Sequence, residues 1–439
     1  MKFLTYVLLL ACYFLLNTAQ ASPWDDLKPY EVTKNTPIIF SPYDNTLVLE
    51  DPTGKLTVEE VLARKDEFGK PVLLLAHIDV VDARREDWER DPFKLIEEDG
   101  YFYGRGTSDM KALAAIWVDM LERFRAEGYK PKRTIKLALT CGEETSWAFN
   151  GARWLTENKR DLIDAEFVLN EGGGGRTDGK GTVVAQNFHV GEKTVGNYRI
   201  EATNPGGHSS IPIRDNAIYE LSDALVKLRE FEFPVMLTDT TRAFFSRLGA
   251  KRNDEVGKAM LAVVANPQDK AAVAVLDKDR TFHSMLRTTC VATMLRGGHA
   301  LNALPQAATV SVNCRIMPGV SIETIKSTLQ TVIANPAATI TVLGLPAASD
   351  ASPLRPDVMG AIRTAIDRRA PGLPIVPQMS AGATDSLYFR AAGIPSYGLS
   401  GMFMNPADDF AHGLNERAPV AAIDGALDQW HTVISILAK

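Results

Sequence analysis

Pro71-Val72-Leu73-Leu74-Leu75-Ala76-His77-Ile78-Asp79-Val80 is the stretch on which the fold turns. Its apolar run is short and uninterrupted, so it reads as a strand buried on both faces rather than as an alternating surface strand. It ends in His77 and Asp79, two side chains able to do chemistry. The same layout recurs downstream. Thr134 to Thr140 reads as a strand ending at Cys141-Gly142-Glu143-Glu144, and Phe167 to Asn170 as a strand ending at Glu171. Met110 to Glu127 and Gly151 to Asn158 carry helical apolar spacing between them. Alternating strands and helices predict an α/β fold with a mostly parallel central sheet flanked by helices. In such sheets, sites form at the carboxyl ends of the strands.

The pattern changes near Val195. Asn197 to Thr203, Thr289 to Leu295, Ala308 to Ile316 and Thr339 to Leu343 read as strands. Asn216 to Phe231 and Ile322 to Ile333 read as helices, and Thr241 to Asp279 is helical throughout. This is an α+β unit inserted into the first domain, because strand–helix alternation returns after Ser349 and runs to Lys439. The predicted layout is therefore a leader at residues 1–21, catalytic segments at 22–194 and 349–439, and an inserted lid or dimerisation domain at 195–348. A chain of 439 residues with 45% hydrophobic composition suits two cores better than one.

Lys2, the apolar run from Phe3 to Leu16 and the small-x-small Ala19-Gln20-Ala21 read as a secretory leader, with a retained or lipid-modified anchor as the alternative. The mature chain is expected to be secreted or periplasmic. No later segment approaches membrane-spanning length. A net charge of -6 argues against a nucleic-acid partner. Cys141, Cys290 and Cys314 remain after the leader, an odd number in apolar contexts. Buried free thiols are favoured over a Cys290–Cys314 bridge.

His77, Asp109, Glu143, Glu144 and Glu171 each follow a strand-like segment or a glycine-rich turn. Histidine and carboxylates are zinc ligands, and a spare carboxylate can deprotonate an activated water. Each has a plainer reading. His77 suits a satisfied core histidine, Asp109 a helix N-cap, and Glu143-Glu144 a solvated acidic pair. Asp79, two residues past His77, falls on the same side of an extended chain and can accept the ring's second N–H. His412 and His208 are unremarkable in isolation.

Taken in order, six segments resemble the co-catalytic dizinc hydrolases that include aminoacylase-1, carboxypeptidase G, Gly-X carboxypeptidase and succinyl-diaminopimelate desuccinylase. They are Ala76 to Val81, Tyr103 to Lys111, Gly142-Glu143-Glu144, Asn170-Glu171-Gly172, Pro205 to Ser210 and Ala411-His412-Gly413. The resemblance implies two Zn²⁺ per chain, with Co²⁺ or Mn²⁺ as substitutes. Asp109 would bridge them, His77 and Glu171 completing one site and Glu144 and His412 the other. It further implies Glu143 as general base, Asp79 as the partner of His77, and His208 as an oxyanion-stabilising residue, often acting in a partner subunit. Arg315, Asn302 and Thr384 match substrate-contacting positions, with Arg315 suited to a free carboxylate. The implied enzyme cleaves a peptide or N-acyl amide beside that carboxylate and forms a homodimer through the inserted domain. An aminopeptidase or dipeptidase of the same fold is the alternative, and a non-catalytic binding protein a second. Asn170 departs from the pattern, standing where several relatives have Asp. The helical stretch from Thr241 to Asp279 makes the inserted domain larger than in the smallest relatives.

Overall fold

The computed structural model describes residues 70–145, 149–177, 181–344, 347–408 and 410–439, with the backbone of short strands at Val7–Ala11, Ile39–Ser41 and Thr46–Val48. These form two compact units, one of residues 1–190, 352–378 and 384–439, the other of residues 191–351 and 379–383.

The first unit is built on a mixed sheet whose centre is parallel. Ser396–Gly398, Phe167–Asn170, Val72–His77, Ile135–Thr140 and Val7–Ala11 are successive parallel neighbours, and antiparallel strands flank them. The fold is α/β, as the strand–helix alternation implied. Val7–Ala11 falls within the segment read as a leader, whose cleavage motif at residues 19–21 lies outside the described residues.

Val72–His77 is buried at every position, and its alternation divides the residues between two cores. Val72, Leu74 and Ala76 face one formed with helices Lys111–Ala126, Pro356–Arg369 and Val420–Leu437. Leu73 and Leu75 face the other, with helix Gly151–Asn158 and Phe389. Each such leucine contributes about 1.5–3 kcal/mol of burial. Trp117 and Trp430 meet edge to face at 5.2 Å and lock two of the covering helices.

The second unit is an antiparallel sheet ordered Thr289–Gly297, Ala307–Ile316, Thr194–Thr203, Ala338–Leu343. Tyr198, Ile200, Val310, Val312 and Cys314 point to one face, packed under helices Ala217–Glu230 and Ile322–Ile333. Between these elements run four short helices, Asp239–Gly249, Glu255–Ala265, Lys270–Leu276 and Arg280–Leu286. Thr238, Asp254, Asp269 and Asp279 cap them in turn, each accepting backbone N–H bonds, which is why the stretch breaks where it does.

The cysteine expectation is corrected here. Cys290 and Cys314 stand directly opposite on adjacent strands, Cα atoms 4.0 Å apart, and are disulfide-bonded. Cys141 is also bonded, so no described thiol is free. Counting cysteines beyond the leader left an odd one and carried no information about strand register.

Candidate metal centre

His77 closes its strand with only 2% exposure. Its Nε2 lies 3.1 Å from Asp109 Oδ1 and 3.7 Å from Glu171 Oε1. Its Nδ1 lies 3.1 Å from the Asp79 main-chain oxygen, closer than the Asp79 carboxylate at 3.6 Å. The ring is therefore oriented first by a carbonyl, not by the carboxylate that the i+2 spacing suggested. The Asp79 Oδ2 instead accepts the Glu144 N–H at 3.1 Å, tying the His77 strand end to the glutamate pair.

Asp109 does not cap a helix. The helix begins at Lys111, with Met110 at the cap position and no side-chain cap bond. Asp109 spreads its two oxygens instead, Oδ1 toward His77 and Oδ2 toward His412 Nε2 at 3.1 Å. His412 Nε2 is in turn 3.0 Å from Glu144 Oε2. One carboxylate thus faces two imidazoles, each accompanied by its own glutamate.

Glu143 and Glu144 both approach His77. Donor atoms of His77, Asp109 and Glu144 lie within 4.8 Å of one another, and so do those of His77, Glu143 and Glu171. The two glutamates differ in their company, since Glu144 pairs with His412. Gly142 makes the turn before them at φ +88°, where a Cβ would sit 1.9 Å from the Phe149 carbonyl oxygen. No other residue fits that turn.

Two acids that the sequence reading did not assign hold this geometry. Glu416 is wholly buried and pairs with Arg105 Nη1 at 2.8 Å. Its oxygens also accept the N–H groups of Gly106 at 3.0 Å, Ser108 at 2.7 Å and Asp109 at 3.1 Å. The loop carrying Asp109 is thereby fastened to the loop carrying His412. His412 itself adopts φ 63°, a left-handed conformation costing a non-glycine residue about 1 kcal/mol. Asp385, also buried, accepts from Thr140 Oγ1 at 2.9 Å and Asn150 Nδ2 at 2.7 Å. A charged arginine between glycines that needs a buried anion was the available signal for Glu416. Asn170 directs its Nδ2 to Ser386 Oγ at 3.0 Å.

The electrostatics record a surplus of negative charge. Burial, and then the charges of Glu171 and Asp385, push Glu143 up to about 10. Burial lifts Glu171 to about 7 against the opposing pull of His77. Glu144 and Asp385 are raised, mainly by burial. Burial disfavours a charged His77, but hydrogen bonds to Asp109, Asp79 and Glu171 outweigh it and raise its pKa. Oxygen and imidazole donors with this charge excess fit divalent cations.

A cavity of about 320 Å³ opens beside Asp109 and Glu171. Met110, Leu113, Met402 and Met404 give it apolar walls, and Asn187, His189 and Gln378 line it too. Thr384 stands at the start of helix Ser386–Ala391, its Oγ1 accepting the Ser386 N–H at 3.2 Å.

The remaining expected contact residues lie in the second unit. Gly207–His208 pairs with Ala303–Leu304, and the Ser209 N–H reaches the Asn302 oxygen at 3.0 Å, so His208 and Asn302 are neighbours. Both are exposed. Arg315 lies elsewhere in that unit, its Nε donating to Asn313 Oδ1 at 3.2 Å and its Nη1 to the Ala381 oxygen at 3.3 Å.

The peptidase family M20/M25/M40 matches residues 73–435, a range that holds His77, Asp109, Glu143, Glu144, Glu171 and His412. The chain belongs to this family. It is therefore a hydrolase of amide C–N bonds, and its family is metal-dependent. Among its relatives, the N-fatty-acyl-amino acid synthase/hydrolase PM20D1 of Xenopus tropicalis is 30% identical over 407 residues, 90% of this chain and 77% of that protein. Aminoacylase-1 of Mus musculus is 26% identical over 377 residues, 84% of this chain and 80% of that protein. In fold the chain is similar to the M20 family metallo-carboxypeptidase Sso-CP2 from Sulfolobus solfataricus. The TM-score is 0.62 at 19% identity, covering 84% of this chain and 85% of the other.

Proposed function

We propose that this chain is an exported dizinc hydrolase that releases an amino acid from an N-acyl amino acid or small peptide by cutting the amide next to a free carboxylate. The observation that carries the reading is the divided Asp109 carboxylate, one oxygen at 3.1 Å from His77 and the other at 3.1 Å from His412. Asp109, His77 and Glu171 would hold one ion, and Asp109, Glu144 and His412 the other. Bound zinc supplies Lewis acidity for the attacking water and the scissile carbonyl. Glu143 takes the proton from the water and delivers it to the departing amine, the ordinary work of a spare carboxylate beside a metal centre. Asp79 orients His77 and, through the Glu144 N–H, the neighbouring ligand.

His208 and Asn302 stabilise the oxyanion and position the substrate, Arg315 grips its carboxylate as a bidentate fork, and Thr384 contributes a hydroxyl. The acyl group is assigned to the methionine-walled cavity beside Asp109, whose flexible thioethers accommodate varied apolar chains. The relative named as an N-fatty-acyl-amino acid synthase/hydrolase favours that substrate class over dipeptides. Homodimerisation is supported by the edge strand Thr289–Gly297, which leaves Val291, Met294 and Leu295 exposed. Export is supported by the leader-like amino terminus and by the Cys290–Cys314 disulfide. Among the described residues no helix is long and apolar enough to cross a membrane.

A screen of N-acyl amino acids against their carboxamides, with zinc supplied, tests this directly. Cleavage confined to the free acids is expected, and equal rates on both series would reject it. Mixing His208→Ala with Glu143→Ala chains should restore activity if His208 serves the partner's site. No recovery after demonstrated subunit exchange would reject that role.

A further inference from the structure

The sheet face of the second unit opposite its helices carries Asn313 and Arg315 on one strand and Val195 and Asn197 on the next, with Val195 directly opposite Arg315. Lys193 lies two residues before Val195, in the break between strands Val183–Glu192 and Thr194–Thr203. Lys193 is fully buried. Its ammonium donates to the Arg287 carbonyl at 2.7 Å, and its main-chain N–H to the Ser380 carbonyl at 2.9 Å. The next carbonyl along, Ala381, accepts from Arg315.

The charged groups facing Lys193 are both cations. Arg315 comes from the neighbouring strand and Arg287 from the end of helix Arg280–Leu286. The nearby acids are engaged with the Arg287 guanidinium, Asp277 at 2.9 Å and Glu232 at 3.8 Å, while His283 pairs with Asp277 at 3.0 Å. Among the described residues no carboxylate lies within ion-pairing distance of Lys193. A buried ammonium beside two guanidinium groups is a charge without a counter-ion, and such a charge is costly. Burial first, then Arg315 and Arg287, bring its pKa down to about 7.

We propose that Lys193 is a positioning residue for the substrate's free carboxylate, a buried cation beside Arg315 whose counter-charge arrives with the anion that Arg315 grips. This rests on the role given to Arg315 above. In the free protein the amine is part-protonated near neutral pH. A seated carboxylate favours the ammonium, so binding takes up a proton from solvent. Affinity for the acid should therefore weaken as pH rises above 7, whereas affinity for an uncharged carboxamide should not.

The test uses the zinc-loaded full chain carrying Glu143→Ala, titrated with N-acetyl-leucine by calorimetry at pH 7.5 in phosphate and in Tris, whose ionisation heats differ. Fractional proton uptake is expected with Lys193 present and none with Lys193→Met or Lys193→Arg. In the active enzyme, Lys193→Met should raise KM for the free acid about tenfold with kcat little changed. Lys193→Arg should keep KM low and flatten its pH dependence, which a merely structural role would not do. Absence of proton uptake, or an unchanged pH profile of KM in Lys193→Arg, overturns the proposal, and Lys193→Arg carries the test if Lys193→Met fails to fold. If Arg315→Met leaves discrimination between acid and carboxamide intact, the Arg315 role itself fails. If only the Lys193 variants behave as wild type, that role stands and the inference about Lys193 falls.

Discussion

At the strand ends of the first unit, Asp79, Asp109, Glu143, Glu144, Glu171 and Asp385 crowd around two imidazoles, whereas in the second unit Lys193, Arg287 and Arg315 gather where the acids Asp277 and Glu232 pair with Arg287. Each unit holds charge that its own residues do not balance. Such an excess opposes folding, and the groups answer it by shifting their pKa toward the neutral form unless an outside charge completes the site. The acidic centre has the donors and charge to suit divalent cations, and the basic cluster suits the substrate anion proposed above. Each unit also has an apolar core of its own, so the difference is confined to these charged side chains.

The sharpest way to break this contrast is at the acidic centre. Glu143→Ala should lower kcat by about 10²–10⁴-fold while metal content stays at the wild-type level. Glu144→Ala should instead lose one ion, so identical metal content and rates in both variants would refute their separate roles. Next in size, Glu416→Gln leaves Arg105 without its buried anion and loosens the Asp109 loop. Metal affinity should fall by about 10–100-fold, read by competition with a chelator. On the basic side, Arg315→Met should raise KM for free-acid substrates roughly tenfold to a hundredfold and leave carboxamides unaffected, as expected for loss of a charged hydrogen bond. The smallest effect concerns the second unit's fold. Replacing Cys290 and Cys314 by Ala should cost about 2–4 kcal/mol of stability, seen as a lower Tm, without altering metal content.

Much of the first unit was legible because the strand Val72–His77, buried on both faces, leaves an unbroken apolar run that ends at His77, and because Glu143 and Glu171 follow within three residues of two further buried strands. Register and long-range pairing were not legible. Nothing local to Glu416 says that it receives three backbone N–H groups from a loop some three hundred residues earlier. The Cys290–Cys314 bond depends on which residues face each other across two strands. The main-chain carbonyl of Asp79 displaced its carboxylate as the nearer partner of His77, a choice set by backbone direction after the strand end. Lys193 passed unnoticed for the same reason, since a lysine usually reaches solvent and burial is a tertiary property. The leader reading makes a plain demand as well. Sequencing the exported protein should find Ser22 first, whereas a chain beginning at Met1 would keep Val7–Ala11 in the sheet beside Ile135–Thr140.

Elemental analysis of the purified chain, wild type beside Asp109→Ala, goes to the centre of the account. Two zinc ions per wild-type chain and tight binding of neither in the variant are the predicted result. Fewer than one ion per wild-type chain after zinc loading, or full retention in Asp109→Ala, would contradict a carboxylate shared between two metals.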